Sequence, residues 1–505
     1  MKIAWWIRES SVALQPNFNR LELMSNIIGR EQQTDELMRL FRKKQSQLVA
    51  IYGRRRVGKT HLVRELFKER LTFYHTGVSP LELEGANLLE AQLEAFHSSL
   101  IRYGAAHSSR PKNWIEAFDR LTSLLEEQDK SKRMVVFIDE MPWMDTPRSG
   151  FITAFEHFWN GWGAGQDNLM FIVCGSATSW IQDNLINSYG GLYDRVNAEI
   201  QLSPFTLRET EQLLQSQDVT LSRYDILQLY MAVGGIPMYL SYIQPGLSLA
   251  QVIDSLYFDR KAKLKDEFER LFNSLFRSPE PYKAIIRLLA KRQSGYSREE
   301  IAEKTGLVAG KSLSQTLHAL EASDFIERYK PFENNKRNLR YRLVDPFCLF
   351  YLDQVEDRRR KEHFWRDNEN LPGLNTWRGR AFENACLAHV EQIKAALGVS
   401  GVSSDNAPWT LQGTESQKGM QIDLIISRSD RVINLCEMKF VSTQFEVKND
   451  YEAKLRERLQ WVIGHVSRTH NVQMTLVTTY GLKYGLHSGI FQRTVTLDSL
   501  FESAK

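Results

Sequence analysis

The 505-residue sequence predicts a multidomain α/β protein, and three observations carry that expectation. An apolar run at Leu48–Tyr52 leads into the glycine-bracketed loop GRRRVGKT and then into a segment with helical apolar spacing. Two more continuous apolar runs, Met134–Ile138 and Leu169–Cys174, read as strands buried on both faces of a parallel sheet. Length is the third, because at roughly 100–200 residues per domain one core cannot organise the whole chain.

Composition narrows the class. Hydrophobic residues at 42% and charged residues at 25% are ordinary for a globular protein, and no apolar run reaches the length of a membrane span. Residues 1–23 read as an N-terminal extension, since the short apolar stretch Ile3–Ile7 lacks the basic flank and cleavage site of a signal peptide. The four cysteines are scattered without paired spacing, which predicts reduced thiols in a cytoplasmic protein.

GRRRVGKT between a strand and a helix is a phosphate-binding loop. Gly53 and Gly58 free the backbone, with Arg56 and Val57 between them, to wrap N–H groups around phosphates. Lys59 then neutralises the β/γ-phosphates and the Thr60 hydroxyl holds Mg2+, so the expected ligand is ATP. Asp139–Glu140 end the second apolar run, at the strand terminus where open α/β sheets bind ligands. Asp139 is expected to complete the Mg2+ shell and Glu140 to orient or deprotonate the attacking water. Farther on, Ser176 is placed to sense the γ-phosphate. Arg195 is read either as completing the site, in the same chain or a neighbouring copy, or as a surface residue.

These segments, with IIGREQQTDEL at Ile27–Leu37, FIDEMPW at Phe137–Trp143, CGSATSW at Cys174–Trp180 and VGGIPMYL at Val233–Leu240, resemble the archaeal-type AAA+/STAND ATPase family. The resemblance covers roughly residues 24–270. It implies an ASCE-type sheet followed by a helical lid, with Ile28 in the segment approaching the adenine and Pro237 in the lid motif.

Downstream, Ser297 caps REEIAEKTG, Lys311–Ser323 is amphipathic with Leu313, Leu317 and Leu320 inward, and strands Phe325–Lys330 and Leu339–Val344 flank Asn334–Asn335. This pattern resembles a winged helix-turn-helix. Over Arg277–Lys361 there are 18 Lys/Arg against 12 Asp/Glu, so the basic excess of the chain concentrates here. Exposed Lys311, Ser314 and Gln315, with Lys336, Arg337 and Arg340 on the wing, form the charge layout of a duplex-DNA binder. Interdomain packing is the other reading of the same unit.

The last third carries a helical pattern over TWRGRAFENACLAHVEQI, then the two-strand segment QIDLIISRSDRVINLCEMKF. Alternation puts Glu437 and Lys439 on one side of their strand, and the hairpin brings Asp423 close. Two carboxylates and a lysine suit metal-assisted phosphodiester hydrolysis, with Asp423 and Glu437 as Mg2+ ligands. The string resembles the PD-(D/E)XK nuclease pattern, in which Glu383 matches the helix carboxylate. Without a metal, the same carboxylates would simply pair with Lys439.

The expected organisation is therefore residues 24–205 as an AAA+ P-loop domain, 206–275 as lid, 276–358 as winged helix and 359–505 as a restriction-endonuclease-like α/β domain. The first functional reading is an ATP-hydrolysing protein, with the possibility of homo-oligomers, that engages DNA and gates a Mg2+-dependent nuclease-like domain. The second is a STAND-like switch or DNA-bound regulator whose C-terminal domain is inactive.

Overall fold

The computed structural model describes residues 27–79, 87–187, 190–332, 339–356, 360–369, 371–411 and 419–504. Its first sheet is built from β1 (Gln47–Tyr52), β2 (Leu71–Thr76), β3 (Met134–Asp139), β4 (Leu169–Gly175) and β5 (Ala198–Gln201), in the order β2-β3-β4-β1-β5. Every neighbouring pair is parallel. The three predicted strands are the three central ones, and each is buried along its whole length.

Alternation explains why continuous apolar sequence is needed. Leu48, Ala50, Val136 and Phe171 face an aromatic-rich cluster with helices Trp114–Glu126 and Phe151–Gly161. Val49, Ile51, Val135 and Ile172 face the other way, toward helix Lys59–Phe67. A sheet covered on both faces leaves no polar stripe to read. Strand β4 lies between β1 and β3, so the loops leaving β1 and β3 face each other across its end.

Helices joined by turns fill residues 207–275, opening with Leu207–Ser216, whose start is fixed by reciprocal bonds between Thr206 and Glu209. Helices Glu280–Leu289, Arg298–Thr305 and Lys311–Ala322 follow, with a small antiparallel sheet of β6 (Tyr296–Ser297), β7 (Ile326–Tyr329) and β8 (Arg340–Leu343). Asn334–Asn335, Lys336 and Arg337 lie outside the described residues, as does the 1–23 extension.

The last sheet contains β9 (Ser404–Leu411), β10 (Met420–Arg428), β11 (Val432–Lys439), β12 (Asn471–Thr478) and β13 (Arg493–Thr496) in the order β13-β12-β11-β10-β9. Strands β9, β10 and β11 are antiparallel neighbours, whereas β11, β12 and β13 run parallel. The helical pattern read across residues 376–393 is two helices, Pro372–Ala388 and Val390–Ala396. The break falls at buried His389, whose Nε2 accepts the Leu207 amide at 3.0 Å while Nδ1 donates to Ala385 O.

One buried apolar cluster runs through all these segments, including Leu37, Leu229, Leu320, Phe350, Phe382 and Leu500. The helices after β5 therefore share their core with the C-terminal region. Among the described residues no helix is long and apolar enough to cross a membrane.

Candidate functional site

The loop after β1 adopts the conformation its glycines permit. Gly53 has φ +145°, and a Cβ there would lie 2.1 Å from the Leu202 carbonyl, so no larger residue fits against the end of β5. Gly58 has φ +92° and nothing within 4 Å of a Cβ position, leaving open space where the helix Lys59–Phe67 begins. An unobstructed helix N-terminus lined by backbone amides is an anion site.

Lys59 is buried and donates to the carbonyls of Gly53 and Arg54 at 2.8 and 2.9 Å. Across the end of β4, Thr60 Oγ1 donates to Asp139 Oδ2 at 2.8 Å. Burial, reinforced by Glu140, pushes the Asp139 carboxyl above its ordinary range. Glu140 sits at φ 46°, a left-handed backbone unusual for a side-chain-bearing residue. Its Oε2 accepts both the amide and hydroxyl of Ser176, at 3.0 and 2.8 Å. Ser176 is thus bonded to the glutamate, where the sequence reading aimed it at the γ-phosphate.

These groups open into a cleft of about 590 Å³ whose walls include Ile28, Arg56, Val57, Lys59, Glu140 and Pro237. Five of those six were named on pattern or resemblance as nucleotide-site residues, and Glu140 as catalytic; Thr60 and Gly58 also line the cleft. An all-oxygen set at Thr60 and Asp139 suits Mg2+, which prefers hard donors.

Arg195 lies elsewhere. It precedes β5, and β5 runs parallel to β1 with Ala198 opposite Val49, so Arg195 is at the amino end of the sheet. The phosphate loop leaves from the carboxyl end. Reading Arg195 as part of this chain's own site is corrected by the strand direction, which sequence motifs alone could not fix.

Three arginines that the motif leaves variable, or that flank it, tie the loop to the rest of the chain. Arg30 donates to Val57 O at 3.2 Å and Ser203 O at 2.6 Å, and lies over the Phe205 ring. Arg56 pairs with buried Glu267, which also accepts from Tyr239 at 2.8 Å. Arg54 is buried in an ion pair with Asp345 and stacks 4.4 Å from the Phe325 ring centroid. Burial opposes the Arg54 charge, but Asp345 outweighs it and holds the pKa above the usual value. Arg54 was missed because a phosphate-loop pattern specifies only its glycines, lysine and hydroxyl, and Arg30 because its partners Val57 and Ser203 lie 27 and 173 residues away.

The second cluster lies at the carboxyl end of β11. Between Ile422 and Ile425 the β9–β10 register shifts, placing an irregularity at Asp423. Such bulges re-aim side chains. Asp423 Oδ2 accepts the Met438 amide at 2.9 Å, which locks it beside Glu437. Glu437 is buried and accepts Lys439 at 2.6 Å and Arg458 at 2.6 Å, with Tyr451 bonded to the same oxygen as Lys439. Tyr451 and Arg458 lie seven residues apart on helix Asn449–His465, a spacing of two helical turns that could have revealed them.

Glu383 completes the group from helix Pro372–Ala388. Burial pushes its carboxyl up to about 7 despite the opposing pull of Lys439, and Gln293 donates to its Oε2 at 2.6 Å. Asp423 is raised well above its ordinary range by burial, then by Glu437 and Glu383. Burial opposes the Lys439 charge, which Glu437 and Asp423 nevertheless stabilise. The structure therefore gathers all four predicted residues. Among the described residues, no three His, Cys, Asp or Glu are grouped so as to hold a metal ion, so an ion here would rest on the Asp423 and Glu437 oxygens with other donors.

On the middle unit, Lys311, Ser314 and Gln315 are exposed as expected. Arg340 is not a free wing cation: it donates to Gly295 O at 3.2 Å and lies 3.6 Å from Glu300.

Comparison with known proteins gives a match over the front of the chain. Residues 27–243 match the family described as an ATPase domain predominantly from Archaea. Over this stretch the chain is similar to an archaeal-type ATPase domain. A relative from Methanocaldococcus jannaschii, an uncharacterised protein, is 23% identical over 341 residues, spanning 65% of this chain and 68% of its own length. Among solved structures, a Walker-type ATPase of Pyrococcus abyssi superposes with a TM-score of 0.45 at 22% identity, over 65% of this chain and 96% of that one. The Aeropyrum pernix ORC2 protein, in ADPNP–ADP complexes, gives 0.40 at 15% identity over 66% and 97%. The match to the ATPase domain ends before the small antiparallel sheet and the carboxylate cluster.

Proposed function

We propose that this chain hydrolyses ATP with Mg2+, engages DNA through its middle unit, and uses nucleotide state to control a Mg2+-dependent phosphodiesterase at Asp423, Glu437 and Lys439. The observation that carries the reading is the convergence of Asp423, Glu437, Lys439 and Glu383 at one end of a mixed sheet flanked by helices, in a chain whose front is an ATPase domain.

At the front, Lys59 holds the phosphates, and Thr60 and Asp139 would hold the ion, which supplies charge neutralisation on the β/γ-phosphates. Glu140 orients the attacking water and accepts its proton, and Ser176 fixes the carboxylate for that role. In the C-terminal cluster Asp423 and Glu437 would hold an ion that polarises the scissile phosphate. Lys439 and Arg458 offset negative charge developing on that phosphate.

The three-helix unit with its small sheet is read as a winged helix whose helix Lys311–Ala322 presents Lys311, Ser314 and Gln315 to duplex DNA. On the same helix, His318 faces Asp183 of the ATPase domain at 3.7 Å.

One observation favours a second reading, a nucleotide-driven switch with an inactive C-terminal domain. Both Glu437 oxygens are engaged, by Lys439 and Tyr451 on one and Arg458 on the other.

The front half of the proposal is tested with purified full-length chain. Phosphate release from Mg-ATP is expected in the wild type and lost in Lys59→Ala. Labelled duplex DNA is expected to bind with an affinity that falls with salt, and Lys311→Glu to weaken it. ATP turnover without any DNA binding would leave the ATPase and remove DNA as the partner.

A further inference from the structure

The phosphate loop and the C-terminal carboxylates are linked by a short series of buried bonds. Arg54, whose carbonyl and side chain both face inward, pairs with Asp345 with each side chain only 1% exposed. Asp345 also caps helix Pro346–Phe350 by accepting the Cys348 amide at 2.7 Å. The residue before it, Val344, gives its carbonyl to the side-chain amide of buried Asn384 at 2.7 Å. Asn384 is next in sequence to Glu383, on the helix that packs against β11.

Two further bonds hold the same helix to the middle unit: Arg380 donates to Ala290 O at 2.9 Å, and Gln293 to Glu383 itself. The helix bearing Glu383 therefore has its position set from the middle unit, whose Asp345 is fixed in turn by the phosphate loop. Lys59 bonds the Arg54 carbonyl, so a nucleotide that draws Lys59 toward phosphate removes a bond from the residue that anchors Asp345.

We infer that Asp345 and Asn384 are positioning residues that convey the nucleotide state of the phosphate loop to the carboxylate-bearing helix Pro372–Ala388. The inference rests on the nucleotide-control part of the reading above and names its physical route. Binding at Lys59 loosens Arg54, Arg54 resets the Asp345 turn, and the Val344–Asn384 bond carries the displacement to Glu383. Coupling of this kind is reciprocal, so the C-terminal cluster also biases the phosphate loop.

The test is amide hydrogen exchange on the full chain with and without the non-hydrolysable analogue AMP-PNP and Mg2+. In the wild type, the analogue is expected to change exchange in helix Pro372–Ala388 by about fivefold or more, the lower range of ordinary coupling. In Asn384→Ala the analogue still binds and still protects the phosphate loop, but the change in the helix is lost. Asp345→Asn keeps the capping oxygen and removes the charge that holds Arg54, and is expected to uncouple in the same way. If either variant does not fold, the other decides.

No nucleotide-dependent change in the wild-type helix, or a change that persists in a folded variant, overturns the inference. Both readouts are independent of cleavage. Absence of nuclease activity would sink the phosphodiesterase reading while leaving this route standing.

Discussion

The guanidinium of Arg54, inside the phosphate loop, is sealed in an ion pair with Asp345, 291 residues farther along the chain. The pair makes the ATPase domain and the middle unit a single electrostatic object at the point where nucleotide binds. Taking two charges out of water is costly, and their mutual attraction with Phe325 stacking must offset it.

Removing one partner should therefore be worse than removing both. Arg54→Met is expected to cost about 3–5 kcal/mol, because it leaves the Asp345 charge buried alone. Arg54→Met combined with Asp345→Asn, which preserves the helix cap, should recover a large part of that loss. Urea unfolding midpoints of the wild type, Arg54→Met, Asp345→Asn and the double variant check the ordering, and an additive double variant would show that the two side chains do not act as a pair.

Ser176→Ala tests how Glu140 is held. Two bonds from Ser176 restrain the glutamate, and only the hydroxyl bond is removed. ATP turnover should fall by about 10- to 100-fold with nucleotide affinity little changed, as misplacement of a catalytic group predicts. Arg195→Ala, at the far end of the sheet, should leave turnover unchanged at low protein concentration. A loss seen only at high concentration would assign Arg195 to a neighbouring copy.

Two buried histidines cost the fold stability toward acid. Burial lowers His389 to about 4 and His75 to about 3, against an unfolded value near 6.5. The unfolded chain takes up these protons first as pH falls. The neutral imidazoles thus favour folding in full above about 6.5, and stability is lost as pH falls from there through about 4 for His389 and about 3 for His75. At 1.36 kcal/mol per pKa unit, His389 alone should remove about 3 kcal/mol by the bottom of that window. Urea midpoints at pH 7.5 and 4 measure it, and His389→Gln, which can still accept from Leu207, should reduce the dependence, leaving the share of His75.

Much of the front site was legible because its chemistry is local. Gly53, Gly58, Lys59 and Thr60 are contiguous, and Asp139–Glu140 end a run whose apolarity marks a buried strand. The C-terminal residues were legible for a related reason, since a hairpin and period-two alternation bring Asp423, Glu437 and Lys439 together. What escaped was non-local. The direction of β5, which removes Arg195 from the site, depends on a parallel pairing across the sheet. Arg54 looked like an unconstrained loop residue because its partner lies in another segment. The break at His389 coincides with its bond to the Leu207 amide, a non-local partner that no helical periodicity encodes. Tyr451 and Arg458 carry an i, i+7 spacing, but only packing against β11 gives that spacing a meaning.

The most direct measurement of the central claim is cleavage of end-labelled duplex and single-stranded DNA by the full chain in Mg2+ or Mn2+, with and without ATP, for wild type and Glu437→Gln. The account predicts cleavage by the wild type whose rate changes with ATP, and its loss in Glu437→Gln while ATP turnover persists. Intact DNA under every condition, or equal cleavage by wild type and Glu437→Gln, would contradict it.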